Sequence, residues 1–415
     1  MIIESFEIKS YRSCLSAKFP LQPELTGLIG INGSGKSNLL NAIALLKKIN
    51  RARPPIRDVD SSSQNTCRIA LKVRHQNKTI YIKGNVVYET DEHNYDDVYT
   101  SQLKFNFQEF TGESKWIEIP IQFLGYPRDD LFMDSSSTIG DRQMYMINYF
   151  SPTGYQLIRK SKEIQQYLSE VFTLFNGINY YSASQFSDPS RCPVSIELEE
   201  GRPLRRARIS GGRVAHEQFI LDLYRSHRAK DKQYKRYSNT IGKEGIGLVD
   251  RIQFLEMEMP SSYYKVETGG KISKIERNRL LVVPRFTVNN TDLSPNQLSE
   301  GTFKTLALVF YILTDDSRVL LIEEPEVCVH HGLLSSIISL IKTQSKKKQI
   351  VMSTHSDFVL DYLDPDNLLL VEWSAEKGTT AKPLGKSMSK NDYKALRFYL
   401  EESGNLGEYW RESRF

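Results

Sequence analysis

Eight residues near the start of the chain constrain its fold more than any other feature. Residues Gly30 to Ser37 read Gly-Ile-Asn-Gly-Ser-Gly-Lys-Ser and match the pattern Gly-x4-Gly-Lys-Ser. An apolar strand pattern precedes them at Leu25 to Ile29, and a helix pattern follows from Lys36 to Ile49. Glycines let the backbone approach an anion closely, and the N–H groups of a helix N-terminus face that anion. The pattern therefore predicts a phosphate-binding loop (P-loop) between a strand and a helix.

The chemistry of a P-loop assigns roles to its side chains. Lys36 is expected to reach the β- and γ-phosphates of a nucleotide, and Ser37 is expected to ligate Mg²⁺. We therefore expect ATP and Mg²⁺ as the ligands of this loop. The remaining residues expected to contact the nucleotide here are Gly30, Asn32, Gly33, Ser34, Gly35 and Asn38.

An ATPase also needs carboxylates at the end of a buried strand. Val319 to Ile322 form an apolar strand pattern that runs into Glu323-Glu324-Pro325-Glu326. Glu323 is predicted to hold the metal, and Glu324 is predicted to polarise the attacking water. A strand that ends in an acidic turn without catalytic use is the alternative, and the presence of a P-loop disfavours it.

Two more segments complete an ordered set of motifs. The segment Leu298 to Thr302 reads Leu-Ser-Glu-Gly-Thr and opens a helix pattern, and a later strand pattern ends in Ser353 to Ser356, Ser-Thr-His-Ser. In this order and spacing the chain resembles the ABC-type ATPases, with their signature motif and switch histidine. The resemblance implies that Ser299 and Gly301 contact nucleotide and that His355 is catalytic.

The variant motifs resemble a narrower group. Glu-Glu-Pro-Glu and Thr-His-Ser are similar to those of the AAA ATPases around the OLD (overcoming lysogenisation defect) proteins, which share the ABC-type head with the SMC, Rad50 and RecF families. The segment Ile8 to Ser13, Ile-Lys-Ser-Tyr-Arg-Ser, resembles the opening strand of that group. The resemblance covers about residues 1–90 and 280–375. It implies an α/β fold, an ABC-type ATPase head in which a parallel or mixed P-loop sheet carries an antiparallel β subdomain.

Sequence character divides the chain into four predicted ranges. Strand patterns of period two between residues 68 and 123 predict the antiparallel sheet, and alternating strands and helices between 303 and 371 predict the parallel one. Gly269-Gly270 predicts a hairpin turn. The ranges are 1–130 and 261–375 for the two parts of the ATPase head, 131–260 for a mainly helical, basic insertion, and 376–415 for a C-terminal helical tail that docks on the body.

Three positions depart from the family pattern. Glu323 stands where the metal-binding residue is usually Asp, Glu300 replaces the first signature glycine, and His331 replaces a proline after His330. Paired histidines also ligate metals, but no Cys or carboxylate spacing supports a zinc site there. The roles of both histidines stay open.

The glutamine that senses Mg²⁺ and water in such heads has no clear counterpart. Gln185, after the strand pattern Ile178 to Ser184, is one candidate, and Gln122 is another. A polar residue at a strand end without that role is the favoured interpretation of either.

The family resemblance also implies how the protein works. ABC-type heads act as head-to-tail dimers, so each site would join one copy's P-loop to the other copy's Ser299. OLD nucleases carry a TOPRIM nuclease domain after the ATPase, whereas about forty residues follow Val371 here. We therefore expect a slow, regulatory ATPase that controls a nuclease or other toxic effector supplied in trans. Similar standalone ATPases belong to anti-phage defence systems of the Septu, PARIS and retron-associated kinds.

A DNA-repair or chromosome-maintenance ATPase that clamps DNA, similar to RecF or Rad50, is the alternative function. The interval 202–236 carries eleven Lys/Arg against three Asp/Glu, interleaved with Tyr224, Tyr234 and Tyr237. Such a stretch fits nucleic-acid contact, and it fits a solvated charged helix face equally well.

Composition and the N-terminal sequence disfavour several other classes of protein. The four cysteines form no close pair, no run of about 18 apolar residues exists, and Met1 to Glu4 do not begin a signal peptide. A cytoplasmic protein without a membrane partner is the expectation. The ATPase subunit of a membrane transporter is disfavoured, because those heads have a shorter interval between P-loop and signature.

Overall fold

The computed structural model describes residues 1–49, 65–90, 96–106, 116–121, 162–199, 214–230, 232–266, 272–327, 329–402 and 404–413. The chain divides into two packed units. The first unit comprises Met1–Tyr180, Asp316–Glu324 and Lys342–Phe415, and the second comprises Tyr181–Asp315 and Pro325–Ile341. The ranges predicted from sequence character follow different borders and stay predictions.

The strands in chain order are β1 (Ile2–Tyr11), β2 (Cys14–Pro20), β3 (Leu25–Ile29), β4 (Asn65–His75), β5 (Lys78–Thr90), β6 (Asp96–Asn106), β7 (Trp116–Ile121), β8 (Ile178–Ser182), β9 (Ile196–Glu199), β10 (Arg251–Val266), β11 (Ile272–Val288), β12 (Thr291–Leu293), β13 (Val319–Glu323), β14 (Gln349–Thr354), β15 (Leu368–Ser374) and β16 (Gly378–Pro383).

The helices in chain order are α1 (Lys36–Ile49), α2 (Lys162–Asn176), α3 (Val214–Ala229), α4 (Lys232–Ile241), α5 (Glu300–Thr314), α6 (His331–Ser345), α7 (Asp357–Leu360), α8 (Leu384–Ser387), α9 (Lys390–Glu401) and α10 (Leu406–Ser413). None of the helices in the described ranges combines the length and the apolar character needed to span a lipid bilayer.

An antiparallel sheet in the first unit has the strand order β2-β1-β4-β5-β6-β7. Along β4, Cys67, Ile69, Leu71 and Val73 are buried and the residues between them are more exposed, as expected of a strand with one solvated face. The antiparallel subdomain predicted from the period of two is therefore confirmed.

The P-loop strand β3 lies inside a second sheet with the order β16-β15-β3-β14-β13-β8. β3 pairs in parallel with β14 and β15, and β14 pairs in parallel with β13. Every residue of β3 and β14 is buried, which is typical of central strands in a parallel sheet covered on both faces. The predicted α/β head with a mixed sheet is confirmed.

One edge of this mixed sheet differs from the prediction. The range 376–415 is predicted as a helical tail, but β16 lies within it and pairs antiparallel with β15, from Leu369↔Pro383 to Ser374↔Gly378. The short segment Thr379-Thr380-Ala381 has too few apolar residues to signal a strand, and it is stabilised by tertiary contacts with β15 and β2. The helical remainder does dock, because Asp361 Oδ1 accepts a hydrogen bond from Gly407 N at 2.7 Å.

Helix α1 packs against both sheets of the first unit, touching β1 and β6 on one side and β13 and β14 on the other. Its apolar face is fully buried, including Leu39, Ile43 and Leu46. Burial of each such side chain stabilises the fold by about 1.5–3 kcal/mol. Gln349, which is 2% exposed, links the two sheets further, since its side-chain amide donates to Ile3 O and Gln22 O at 2.8 Å each.

The second unit joins a hairpin to helices. β10 and β11 pair antiparallel from Arg251↔Thr287 to Val266↔Ile272, so the predicted hairpin is confirmed, although Gly269 and Gly270 lie outside the described residues. Helix α5 is buried on all sides and forms the centre of this unit. The range 131–260, predicted to be mainly helical, also holds β9 and the first part of β10.

Candidate nucleotide-binding site

Three glycines shape the P-loop. Gly30, Gly33 and Gly35 have φ angles of +154°, +81° and +99°, which L-amino acids with side chains rarely adopt. The turn they form ends at Lys36, the first residue of α1. The unpaired N–H groups at the start of this helix favour a negatively charged ligand.

Two of these glycines are also required by packing. A Cβ atom on Gly30 would lie 2.3 Å from Val371 O, and one on Gly35 would lie 2.1 Å from Thr379 Oγ1. Strands β15 and β16 therefore press against the underside of the loop, and any larger residue at either position would displace it.

Lys36 closes the loop in this structure. Its side chain is 5% exposed, and Nζ donates hydrogen bonds to Gly30 O at 2.8 Å and to Ile31 O at 3.0 Å. Ser34 is also buried, and no partner within the described part of the chain reaches its hydroxyl oxygen. The loop therefore holds a buried cation and an unsatisfied hydroxyl, and both suit an anionic ligand.

A cavity of about 190 Å³ opens on this loop. It fits the phosphate end of a nucleotide rather than a drug-sized molecule, for which cavities of about 300 Å³ or more are usual. Of the predicted site residues, Gly30 and Ser34 form the loop beneath the cavity. Its lining consists of Asn32, Gly33, Gly35, Lys36, Ser37, Asn38 and Glu324.

Glu324 and His355 meet because β13 and β14 are parallel neighbours, with Glu323 opposite Ser353. The Glu324 N–H donates to Ser353 O at 3.0 Å, and His355 Nδ1 lies 3.3 Å from Glu324 Oε1. Glu324 has a φ of +46°, a strained value for a residue other than glycine. Such strain is typical of functional positions, where surrounding structure holds a side chain in one orientation.

Glu323 ends β13 and does not line the cavity. The hydroxyl of Tyr180, on the neighbouring strand β8, donates a hydrogen bond to Glu323 Oε2. No sequence motif marks Tyr180, because only the order of the strands in the sheet places it beside Glu323. Partners of this kind orient metal-binding carboxylates.

Asn38 lines the cavity and also makes a hydrogen bond within the protein. Its Nδ2 donates to Ser13 Oγ at 2.6 Å, and Ser13 Oγ lies 2.7 Å from Thr379 Oγ1. Cys14 lies beside this group, and burial raises the pKa of its thiol to about 11, so the thiol stays protonated at neutral pH. Ser13 lies within the opening segment that resembles the OLD group, whereas nothing in the sequence marks Thr379.

The signature segment lies in the second unit. Ser299 is exposed and caps α5, since its Oγ accepts a hydrogen bond from Thr302 N at 3.2 Å. Glu300, which departs from the family glycine, lies 2.6 Å from the ammonium group of Lys304, a residue only 3% exposed. The departure therefore has a physical reason, because a buried cation one turn along the helix requires a carboxylate.

Burial corrects one part of the nucleic-acid hypothesis. Tyr224 and Tyr237 are fully buried, and their hydroxyls bond to Glu256 and to Leu306 O. They are therefore not available to stack on bases. Residues 202–213, which hold five of the eleven basic residues, lie outside the described residues.

The remaining candidates occupy ordinary positions. His330 Nδ1 accepts a hydrogen bond from Gly332 N at 3.1 Å at the start of α6, and His331 is the first residue of that helix. Gln185 lies in a short 3-10 turn, Ala183–Phe186, of the second unit, and Gln122 lies outside the described residues.

A P-loop after the central parallel strand β3, with a glutamate after β13, the next strand but one in the same sheet, at the same cavity, defines a P-loop NTPase. The chain belongs to the family described as the AAA ATPase domain, whose model matches residues 1–360. It is therefore an ATPase, and ATPases of this family use ATP and Mg²⁺.

Three individual proteins are similar to this chain in sequence or in fold. The DNA replication and repair protein RecF of Phocaeicola vulgatus (strain ATCC 8482) is 30% identical over 115 residues, which is 28% of this chain and 27% of that protein. An SMC head bound to the C-winged helix domain of ScpA is 12% identical, with a TM-score of 0.47 over 94% of this chain and 100% of its own. The SMC head domain from Thermotoga maritima is 12% identical, with a TM-score of 0.39 over 92% and 99%.

Proposed function

We propose that this chain is the ATP-driven switch subunit of a bacterial anti-phage defence complex. It dimerises head to tail through ATP, hydrolyses ATP slowly, and thereby controls a nuclease or other toxic effector supplied in trans. The observation that carries the proposal is the cavity where Lys36 and Ser37 face Glu324, with His355 behind it. That arrangement provides for both binding and cleavage of a nucleoside triphosphate.

The residues divide the work of hydrolysis. Lys36 leaves the Gly30 and Ile31 carbonyls to contact the phosphates, while the loop N–H groups hold the oxygens. Ser37 and Glu323 would hold Mg²⁺, which neutralises phosphate charge when bound. Glu324 accepts the proton of the attacking water, and His355 holds the Glu324 carboxylate in place.

The signature segment supports the proposed dimerisation. Ser299 is exposed at the N-terminus of α5, a helix of 15 residues, where an anion is stabilised. A second copy of the chain would present its bound γ-phosphate to Ser299 and Gly301, so that each nucleotide joins two chains. ATP then stabilises the dimer, and hydrolysis releases it.

A mixing experiment tests this arrangement. Lys36→Ala removes the P-loop cation, and Ser299→Arg blocks the signature surface, so each variant alone should lose ATPase activity. In an equimolar mixture, half of the dimers are heterodimers, each with one intact site, so about a quarter of wild-type sites should return. If the mixture stays inactive while each variant remains folded and Ser299→Arg still binds ATP, the composite site is wrong.

The effector is tested by purification from the native host. The proposal is supported by the Glu323-Glu324 and His355 motifs, which are similar to those of OLD-group ATPases. Tagged protein purified with ATP should carry a protein encoded beside its gene, and native mass should fall when hydrolysis is allowed. Recovery of the tagged chain alone under both conditions would contradict the effector.

The second candidate is a DNA-repair or chromosome-maintenance ATPase that clamps DNA. The similarity to RecF over 115 residues favours it, as do exposed Lys232, Lys235 and Arg236 on α4. Because Tyr224 and Tyr237 are buried, such binding would be to the phosphate backbone. The affinity for DNA should fall steeply as the salt concentration rises. Reversal of the charges of Lys232, Lys235 and Arg236 should remove about three phosphate contacts and make that fall less steep. DNA binding that is unchanged by these substitutions would argue against α4 as the contact.

A further inference from the structure

A chain of hydrogen bonds ties the P-loop to the last strand of its sheet. Asn38 Nδ2 donates to Ser13 Oγ at 2.6 Å, Ser13 Oγ lies 2.7 Å from Thr379 Oγ1, and Thr379 Oγ1 donates to Ser34 O at 3.1 Å. Each hydroxyl has one proton to donate, so Ser13 donates to Thr379. We call this set of four groups the Thr379 relay. Its donors all run in one direction and end on the P-loop carbonyl.

The Thr379 end of the relay is buried, whereas Ser13 and Asn38 are partly exposed. Thr379 is 0% exposed, and its backbone N–H donates to Ser13 O at 2.8 Å, so its hydroxyl has little freedom. Gly35 permits the approach, because a Cβ there would lie 2.1 Å from Thr379 Oγ1. A hydrogen bond in such a buried place is stronger than one in water, and an unpaired partner left there is costly.

The relay fixes one peptide plane of the nucleotide cavity. A trans peptide bond points the carbonyl of Ser34 and the N–H of Gly35 in opposite directions. Since Thr379 holds the carbonyl on one side, the Gly35 N–H faces the other side, and Gly35 lines the cavity. An N–H held in this direction loses no orientational freedom when an anion arrives.

We propose that Thr379, acting with Ser13, is a positioning residue for nucleotide binding, because it aims the Gly35 N–H at the phosphate site. The inference rests on the proposed binding of ATP at this loop. It assigns a binding role to β16, a strand that follows every recognised motif of the sequence.

Substitutions at Thr379 test the proposal through the affinity for Mg-ATP. Thr379→Val keeps the shape and removes the donor, so the Kd and KM for Mg-ATP should rise about tenfold, which equals about 1.4 kcal/mol, with kcat changed less than about threefold. Thr379→Ser keeps the hydroxyl and should stay within about twofold of wild type. Thr380→Val makes the same change at a partly exposed neighbour and should have no effect.

The readouts separate positioning from simple loss of structure. Misfolding lowers the number of binding sites in a calorimetric titration, whereas a misaimed N–H raises the Kd at full stoichiometry. If Thr379→Val does not fold, Ser13→Ala breaks the same relay and should raise the Kd about threefold. In the folded double variant, the two effects should not add, since both break one chain of bonds.

Two failures are distinguishable. If wild-type protein does not bind Mg-ATP, or Lys36→Ala binds it equally well, the proposed function itself fails. If wild type binds and Lys36→Ala does not, while folded Thr379→Val and Ser13→Ala both bind within about twofold of wild type, only the Thr379 relay is refuted.

Discussion

His355 Nδ1 lies 3.3 Å from Glu324 Oε1, at the ends of two neighbouring parallel strands. Both side chains are partly exposed, at 40% and 32%, so water reaches the pair. Because Glu324 lines the cavity beside Lys36, one carboxylate faces both the phosphate site and the histidine. This geometry underlies the proposed roles of Glu324 as the proton acceptor and of His355 as the group that orients it.

Glu324→Gln should slow ATP hydrolysis by about 10²- to 10⁴-fold, because the amide cannot accept the proton of the attacking water. ATP binding should persist, and the ATP-linked dimer should last longer, as measured by native mass and by release of bound nucleotide. Glu372→Gln, on an exposed part of β15, is the matched control and should hydrolyse ATP normally. Wild-type turnover by Glu324→Gln would remove Glu324 from the catalytic role.

His355→Gln should lower kcat about 10- to 100-fold with little change in KM, because it leaves the Glu324 carboxylate less well oriented. Single-turnover hydrolysis measures the chemical step directly. The double variant with Glu324→Gln should be no slower than Glu324→Gln alone, since the two residues act as a unit. Additive losses would mean that His355 acts separately from Glu324.

Tyr180→Phe should raise the Mg²⁺ concentration needed for half-maximal activity about tenfold, because Glu323 loses the hydroxyl that orients it. The neighbouring Tyr181 is a close control, since its hydroxyl donates to Lys304 O at 2.9 Å instead. Tyr181→Phe should lower thermal stability and leave the Mg²⁺ requirement unchanged. If Tyr180→Phe needs the same Mg²⁺ concentration as wild type, the Tyr180 hydroxyl does not support metal binding by Glu323.

Glu300→Gln should lower the free energy of unfolding by about 1–3 kcal/mol, because the buried ammonium group of Lys304 loses its carboxylate. The figure is smaller than for a fully buried pair, since the Glu300 side chain is 43% exposed. Urea unfolding at neutral pH measures it. The double variant with Lys304→Met should recover most of the loss, and a double variant as unstable as Glu300→Gln would contradict the pairing.

Stability should also fall in mild acid. Burial lowers the pKa of His216, which stacks on Phe303 with ring centroids 5.2 Å apart. The unfolded chain regains the ordinary value of 6.5, so below it the unfolded state binds more protons. The free energy of unfolding should be full above that pH and decline as the pH falls toward the lowered folded value.

The test is urea unfolding between about pH 7.5 and 5.5. His216→Phe keeps an aromatic ring against Phe303 and should flatten the decline. His227, whose pKa burial also lowers, should still contribute in that variant. A decline of undiminished slope would show that folding does not lower the pKa of His216.

Local sequence patterns were enough to predict much of the fold. Helix α1 runs from Lys36 to Ile49 as its apolar period predicts, and β13 ends at Glu323 as the change from apolar to acidic residues predicts. β16 was not predicted because it is stabilised by contacts with β15 and β2 rather than by a local apolar pattern. The suggestion that Tyr224 and Tyr237 contact nucleic acid was wrong for a similar reason. Their spacing among basic residues does not reveal which side of a helix is buried.

The amino-acid sequence alone was enough to predict the P-loop, the carboxylate strand, the signature segment and the switch histidine. Each is a short motif whose chemistry depends on neighbouring residues in the chain, so it can be recognised without knowledge of the fold. Tertiary structure decided the contacts between them: Tyr180 on Glu323, His355 on Glu324, and Thr379 beneath Ser34. Those pairs are separated by 31 to 345 residues and depend on strand order and register, which no local pattern specifies.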